Sequence, residues 1–346
     1  MRPTTLAELC VRHGLEPPTG TRGRKFEDFS GFLKVFWAAC NAIRTRDDLA
    51  RLIFEVAEDA VADGAWWIEP AFDAARYSTL RAGRPDRLFE TQEEGWLFAL
   101  AVAEAASRAT GVGIGFVSAV DRIMSPGHAM ERARVTAGLV RAGRHMIRSG
   151  MPCFCGRHAG IVAFGLHGKE EGHPPEPFAA AFGTALDGTG LLSAPHAGEI
   201  ASRPGAGAAS VAAALDHLRA RRIAHGVLAI EDEALVARLA AEQICLDVCP
   251  TSNLLLAVFP SPQTHPLPRL LDAGVPCTLG SDDPLLFGAS LLDEFALCRD
   301  RMGLDDALLA RMARASFGHS GAPQAVKDAG LAAVAAWSST SPQGSP

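Results

Sequence analysis

Two histidines, a glutamate and a pair of aspartates stand where short apolar runs end. They are His196 and Glu199 in Ser193-Ala-Pro-His-Ala-Gly-Glu199, His225 in Arg222-Ile-Ala-His-Gly226, and Asp282 with Asp283 in Thr278-Leu-Gly-Ser-Asp-Asp-Pro284. These are the residue types that bind a divalent metal and move protons. A histidine at a strand end can present a ring nitrogen to a metal. A glutamate three residues on, past a turn opened by Gly198, can face the same cavity as a proton donor or acceptor. Adjacent ionised aspartates repel, so partial burial raises one pKa unless a cation or an N–H compensates. A metal on one and a substrate N–H on the other would satisfy both. The structural alternatives are plain: Ser281-Asp282 capping a helix begun by Pro284, Glu199 capping another, and His225 as a satisfied core imidazole. Taken together, the three clusters point to metal-assisted hydrolysis.

The elements that must carry these residues follow from periodicity. Seven short apolar, β-rich runs read as strands of a parallel sheet: 65–72, 112–119, 160–166, 190–195, 222–226, 244–249 and 275–281. Helical patterns alternate with them. From Asp47 to Asp63 apolar residues recur at three- and four-residue spacing after a Thr45/Asp48 capping box. Ser125-Pro126 opens a further helix, Ala208–Ala220 is rich in Ala and Leu, and Glu231–Gln243 begins with acids. A βα repeat sustained from 47 to about 320 predicts one α/β domain over 1–337, a TIM-type (β/α)8 barrel with its active site at the C-terminal ends of the strands. Residues 13–31 read as a loop before a helix at Phe32–Ile43, and 338–346 as a disordered tail.

Composition narrows the function. A net charge of −6 and a pI near 6.0 give no electrostatic footprint for nucleic acid, so the expected partner is a small molecule. No apolar run reaches ~18 residues and the N-terminus lacks a signal pattern, so a cytoplasmic protein without membrane association is expected. The eight cysteines show no disulfide framework and read as reduced thiols. Cys153-Phe-Cys155 with His158 lacks the spacing of common zinc sites. His167 and His173 flank Gly168-Lys-Glu170 in a βα loop, where they could be solvated, and Phe32, Leu33 and Phe36 read as core or pocket lid. No Gly-x-Gly-x-x-Gly or Gly-x-x-x-x-Gly-Lys-Ser/Thr stands in strand-to-helix context, which leaves out the usual nucleotide-cofactor loops.

The order and form of the motifs resemble the adenosine deaminase family of metal-dependent aminohydrolases, within the amidohydrolase superfamily. The similarity runs through Phe32-Leu-Lys-Val-Phe36, Asp121-Arg-Ile-Met-Ser-Pro126, Phe164-Gly-Leu-His-Gly-Lys-Glu170, His196-Ala-Gly-Glu199, His225-Gly226, Cys249-Pro-Thr-Ser-Asn253 and Ser281-Asp-Asp-Pro284. The resemblance implies one Zn2+ bound by His196 and Asp282, a water oriented by His225, which takes its proton or stabilises its charge, and Glu199 as the proton donor to N1 of a 6-aminopurine. It further implies Asp283 at N7, the Gly168 N–H at N3, and Phe32, Leu33 and Phe36 as pocket wall. Catalysis would rest on Glu199, His225 and Asp282, with adenosine to inosine as the leading reaction. Lys169 stands where adenosine-specific members commonly carry Asp, which leaves adenine and side-chain-modified purines such as aminodeoxyfutalosine open.

The resemblance also implies a first strand ending in His-x-His, followed within a few residues by a stretch like Arg2-Pro-Thr-Thr-Leu-Ala-Glu8. The sequence contains no His-x-His. The expectation is a chain extending upstream of Met1 through that strand. The alternative is a shortened homologue that holds zinc poorly and acts as a purine-binding or scaffold protein. Without that strand the barrel would show two open edges.

Overall fold

The structure is a computed structural model, described over residues 1–19, 22–79, 87–144, 146–147 and 159–340. Its strands are β1 (Trp67–Ile68), β2 (Ala71–Phe72), β3 (Gly113–Asp121), β4 (Met146–Ile147), β5 (Ala159–His167), β6 (Leu192–Ser193), β7 (His196–Ala197), β8 (Arg222–His225), β9 (Cys245–Val248) and β10 (Cys277–Leu279). All but β4 pair in parallel, and β4 adds to β5 in the antiparallel sense. Each of the seven apolar runs became a strand position, two of them broken. The run at 65–72 is interrupted between β1 and β2, which pair side by side with β3. The run at 190–195 extends into β7 and breaks at Ala194-Pro195, since proline has no N–H for the ladder. The break is a hand-over: β6 pairs with β5, whereas β7 pairs with β8.

The parallel order therefore runs β1/β2, β3, β5, β6/β7, β8, β9, β10, with helices between successive positions, the arrangement of a TIM-type barrel. Among the described residues no strand joins the free edges of β10 and β1. Two large apolar clusters fill the space between strands and helices. One is built on Val120, Phe164, Val211, Ile223, Leu246 and Leu271, the other on Leu9, Ile43, Leu49, Leu100, Ile114 and Ile161.

The helix signals were good guides. Thr45 and Asp48 form the capping box that starts the helix Arg46–Ala62, and Ser125 caps Pro126–Arg141. The helix expected at 32–43 spans Phe29–Asn41, because Asp28 accepts the Gly31 N–H and sets the start three residues earlier. Ser338–Thr340 belong to the last helix, Gln324–Thr340, and not to an irregular tail: alanine-rich sequence up to Trp337 carries the helix on. Residues 341–346, like Cys153, Cys155 and His158, lie outside the described residues. No helix among the described residues is long and apolar enough to cross a membrane. The six described cysteines are free thiols, five of them buried.

Candidate active site

The rim at the strand C-termini collects the expected residues. His196 opens β7, and its Nδ1 lies 3.0 Å from the Leu166 carbonyl at the end of β5. A ring nitrogen facing a carbonyl must carry the proton, which leaves Nε2 as a bare lone pair for a cation. Burial, followed by the nearby His225, holds this imidazole well below the usual histidine range, so it is neutral at physiological pH.

His225 ends β8 with φ at 65°, and Asp282 follows β10 with φ at 53°. Both are left-handed without being glycine, a strained conformation that concentrates at functional sites. The effect is to aim both side chains into one volume. His225 Nε2 lies 3.6 Å from Glu199 Oε1 and 3.9 Å from Asp282 Oδ2, and the His225 ring stands 5.3 Å from that of His196. His225 Nδ1 is buried and has no hydrogen-bond partner among the described residues.

Glu199 is 5% exposed, and burial is the main cause that pushes its carboxyl up to about 7. Asp283 is pushed up to about 8, by burial first and then by the charge of Asp282. The capping alternative for this pair fails on its side chains. The helix Pro284–Phe287 begins with the Asp283 backbone, but no side-chain oxygen caps it, so both carboxylates remain available to the cavity. Two weak acids thus flank an aspartate, an arrangement that can donate protons to ring nitrogens and accept from an amine.

The loop carrying Glu199 is held by a residue that sequence reasoning quoted without giving it a role. The Glu170 carboxylate accepts the N–H groups of Gly198 at 2.7 Å, Glu199 at 3.0 Å and Ile200 at 3.2 Å. Arg122, 1% exposed, ties three neighbouring segments: its guanidinium reaches the His196 and His173 carbonyls, and its N–H donates to His167 O. Gly168 has φ at 94°, and a Cβ there would sit 2.5 Å from Asp121 Oδ1. Only glycine lets this loop turn past Asp121. His167, half-buried with its ring 6.3 Å from His196, belongs to the site wall and not to solvated loop.

The aromatic helix divides. Phe32 is 6% exposed and stacks at 5.3 Å on Phe287, just past Asp283-Pro284, while Leu33 and Phe36 are half-buried. Phe32 thus packs in the core beneath the Asp283 loop. The last missed residue is Cys249. Donor atoms of His225, Cys249 and Asp282 lie within 4.8 Å of one another, a metal-compatible group in which Asp282 is shared with the set expected from sequence. Burial keeps the thiol well above its ordinary pKa. With the neutral His196 beside the group, these donor types suit a divalent ion such as zinc.

Residues 1–337 match the family described as adenosine deaminase. The chain belongs to the adenosine deaminase family. A putative adenosine/adenine deaminase of Streptomyces coelicolor is 39% identical, over 97% of this chain and 93% of the relative. Among solved structures, an adenine deaminase from Arthrobacter aurescens superposes with a TM-score of 0.81 at 28% identity, covering 98% of this chain and 95% of the other. An amidohydrolase crystallised with zinc bound, at 21% identity and a TM-score of 0.76 over 97% and 86% of the two chains, shares the fold. As a member of the adenosine deaminase family the chain is a hydrolase acting on C–N bonds, and its family implies a metal site.

Proposed function

We propose that this deaminase hydrolyses the exocyclic amine of a 6-aminopurine, with adenosine or adenine as first candidates, and that His196 and Asp282 help to hold a zinc ion. The names of the two relatives above, adenosine/adenine and adenine deaminase, support the substrate class. The observation that carries the reading is the approach of buried Glu199, whose carboxyl burial pushes up to about 7, to buried His225, which in turn lies beside Asp282. When bound, zinc supplies water acidified toward neutral pH.

The protein's own residues supply the rest. Glu199, protonated in an appreciable fraction at neutral pH, gives its proton to ring N1 as C6 is attacked, so negative charge does not build on the ring. His225 takes a proton from the attacking water. Asp283, kept neutral by its surroundings, donates to N7, and the Gly168 N–H donates to N3. These contacts fix the base so that its amine points toward His225 and Asp282. Glu170 maintains the approach of Glu199 through the three N–H bonds along its loop. His225 returns its proton to the amine, which leaves as ammonia, while the oxygen on C6 gives its remaining proton back to Glu199, so that a 6-oxopurine with hydrogen on N1 remains.

The test is ammonia release from adenine, adenosine and substituted 6-aminopurines by the purified protein loaded with zinc, with metal content measured in parallel. Release from at least one amine, abolished by a chelator and restored by zinc, is the expected outcome. A zinc-loaded, folded protein that releases none would reject the reading in favour of a purine-binding homologue.

A further inference from the structure

Among the described residues, the buried guanidinium of Arg76 meets no carboxylate. It lies in the short helix Ala75–Ser78 after β2 and is 8% exposed. Its guanidinium carbon stands 4.2 Å over the Trp37 ring, one nitrogen donates to Asn41 Oδ1 at 3.0 Å, and Nε is buried with no partner. Asp73, three residues earlier, is engaged by Arg132 at 3.1 Å and by the Ala75 N–H. Among the described residues, then, the Arg76 charge meets an aromatic face and a neutral amide only. A buried cation is stable when an anion completes it, and a guanidinium on an indole face offers a fork suited to carboxylate or phosphate.

Its place follows from the pose proposed above. With N1 toward Glu199 after β7, N7 toward Asp283 after β10 and N3 toward Gly168 after β5, the N9 substituent points away from Glu199. In the strand order of the described residues β1/β2 and β10 stand farthest from β7, and the chain leaving β2 leads directly to Arg76. The helix Phe29–Asn41 spans from the Asp283 loop to Arg76: Phe32, in the core, stacks on Phe287 just past Asp283-Pro284, and Trp37 and Asn41, further along the helix, contact Arg76.

We infer that Arg76, with Trp37 and Asn41, forms an anion subsite for the end of the N9 substituent, so that the preferred 6-aminopurine bears a carboxylate or phosphate there. The inference rests on the deamination reading for the direction of N9.

The experiment compares adenosine 5′-carboxylate with its neutral 5′-carboxamide, which differ in charge at nearly equal shape, and includes adenosine 5′-monophosphate. The zinc-loaded wild type should favour the carboxylate over the carboxamide by about 10-fold or more in kcat/KM, as expected for a hydrogen bond to a charged group. The ratio should fall toward one in Arg76→Met and be partly retained in Arg76→Lys. The phosphate-to-carboxylate ratio identifies the anion. Equal kcat/KM for carboxylate and carboxamide in the wild type overturns the subsite, whatever the variants do, and so does an Arg76→Met protein that folds and keeps the preference. If no amine releases ammonia, the reaction reading fails and the subsite is judged on calorimetric binding of the same pair. Tighter carboxylate binding lost in Arg76→Met supports it, and equal or absent binding overturns it.

Discussion

Three neighbouring strands each carry two polar residues, a few positions apart, and the two layers differ. At the rim, β8, β9 and β10 lead to His225, Cys249 and Asp282; two to four residues earlier the same strands carry Arg222, Asp247 and Thr278. In the lower layer every charge is answered. Arg222 bonds Asp247 at 2.7 Å and also Glu69, Thr278 donates to Asp247 at 2.9 Å, and Glu69 accepts the Trp67 indole and the Gly321 N–H. Because Glu69, after β1, and Arg222, on β8, are separated by several strand positions, their contact crosses the inside of the sheet. In the rim layer acids outnumber cations, two residues are left-handed, and His225 Nδ1 has no partner among the described residues. Charges matched by protein make structure, whereas charges left unmatched make a binding site.

Four perturbations would break or sharpen that contrast. The largest effect is expected at the rim: Glu199→Gln should lower kcat by about 10² or more through loss of the proton donor while metal content stays unchanged. Unchanged turnover would remove Glu199 from the chemistry. In the lower layer, Arg222→Met strands two carboxylates and should cost about 3–5 kcal/mol of unfolding free energy by denaturant titration. A loss below roughly 1 kcal/mol would mean the contact is ornamental.

Glu294, fully buried behind the Cys249 turn and bonded by the Thr251 N–H at 3.1 Å, has its carboxyl pushed up to about 7 by burial. A folded-state pKa raised above the unfolded value means stability present below about 4.5 and lost as pH rises through about 7. The wild type should therefore lose on the order of 2–3 kcal/mol relative to Glu294→Gln between these limits. Parallel stability curves for the two proteins from pH 4.5 to 8 would contradict the assignment. The smallest effect is expected from Glu170→Gln, which weakens the anchor of the Glu199 loop. It should lower kcat by about tenfold with zinc retained, because misplacement of a proton donor costs rate before it costs affinity. A change in KM alone would place Glu170 in substrate binding instead.

Much of this molecule was legible from pattern. Apolar runs marked the strand positions because parallel strands are covered on both faces, and the polar residues ending them marked the rim. Thr45/Asp48 and Ser125-Pro126 marked helix starts because capping is local chemistry. The misses have physical reasons too. Cys249 and Glu170 were visible as letters in motifs, but a thiol within ligand distance and a carboxylate bridging to the next βα loop are contacts between distant segments. Arg76 gave no signal, since its placement on Trp37 and Asn41, with no carboxylate among the described residues, exists only once the helix after β2 packs on the helix Phe29–Asn41.

The sequence by itself determined the alternation of strands and helices, the family and which polar residues end the strands, because each depends on local periodicity or on motifs a few residues long. Only the tertiary structure decided which charges are answered. It seated Phe32 under the Asp283 loop, set Glu199 against His225, matched Arg222 with Glu69 and Asp247, and left Arg76 with a ring and an amide. Desolvation and pairing are properties of an assembled interior, where segments from all parts of the chain fix the surroundings of each ionisable group.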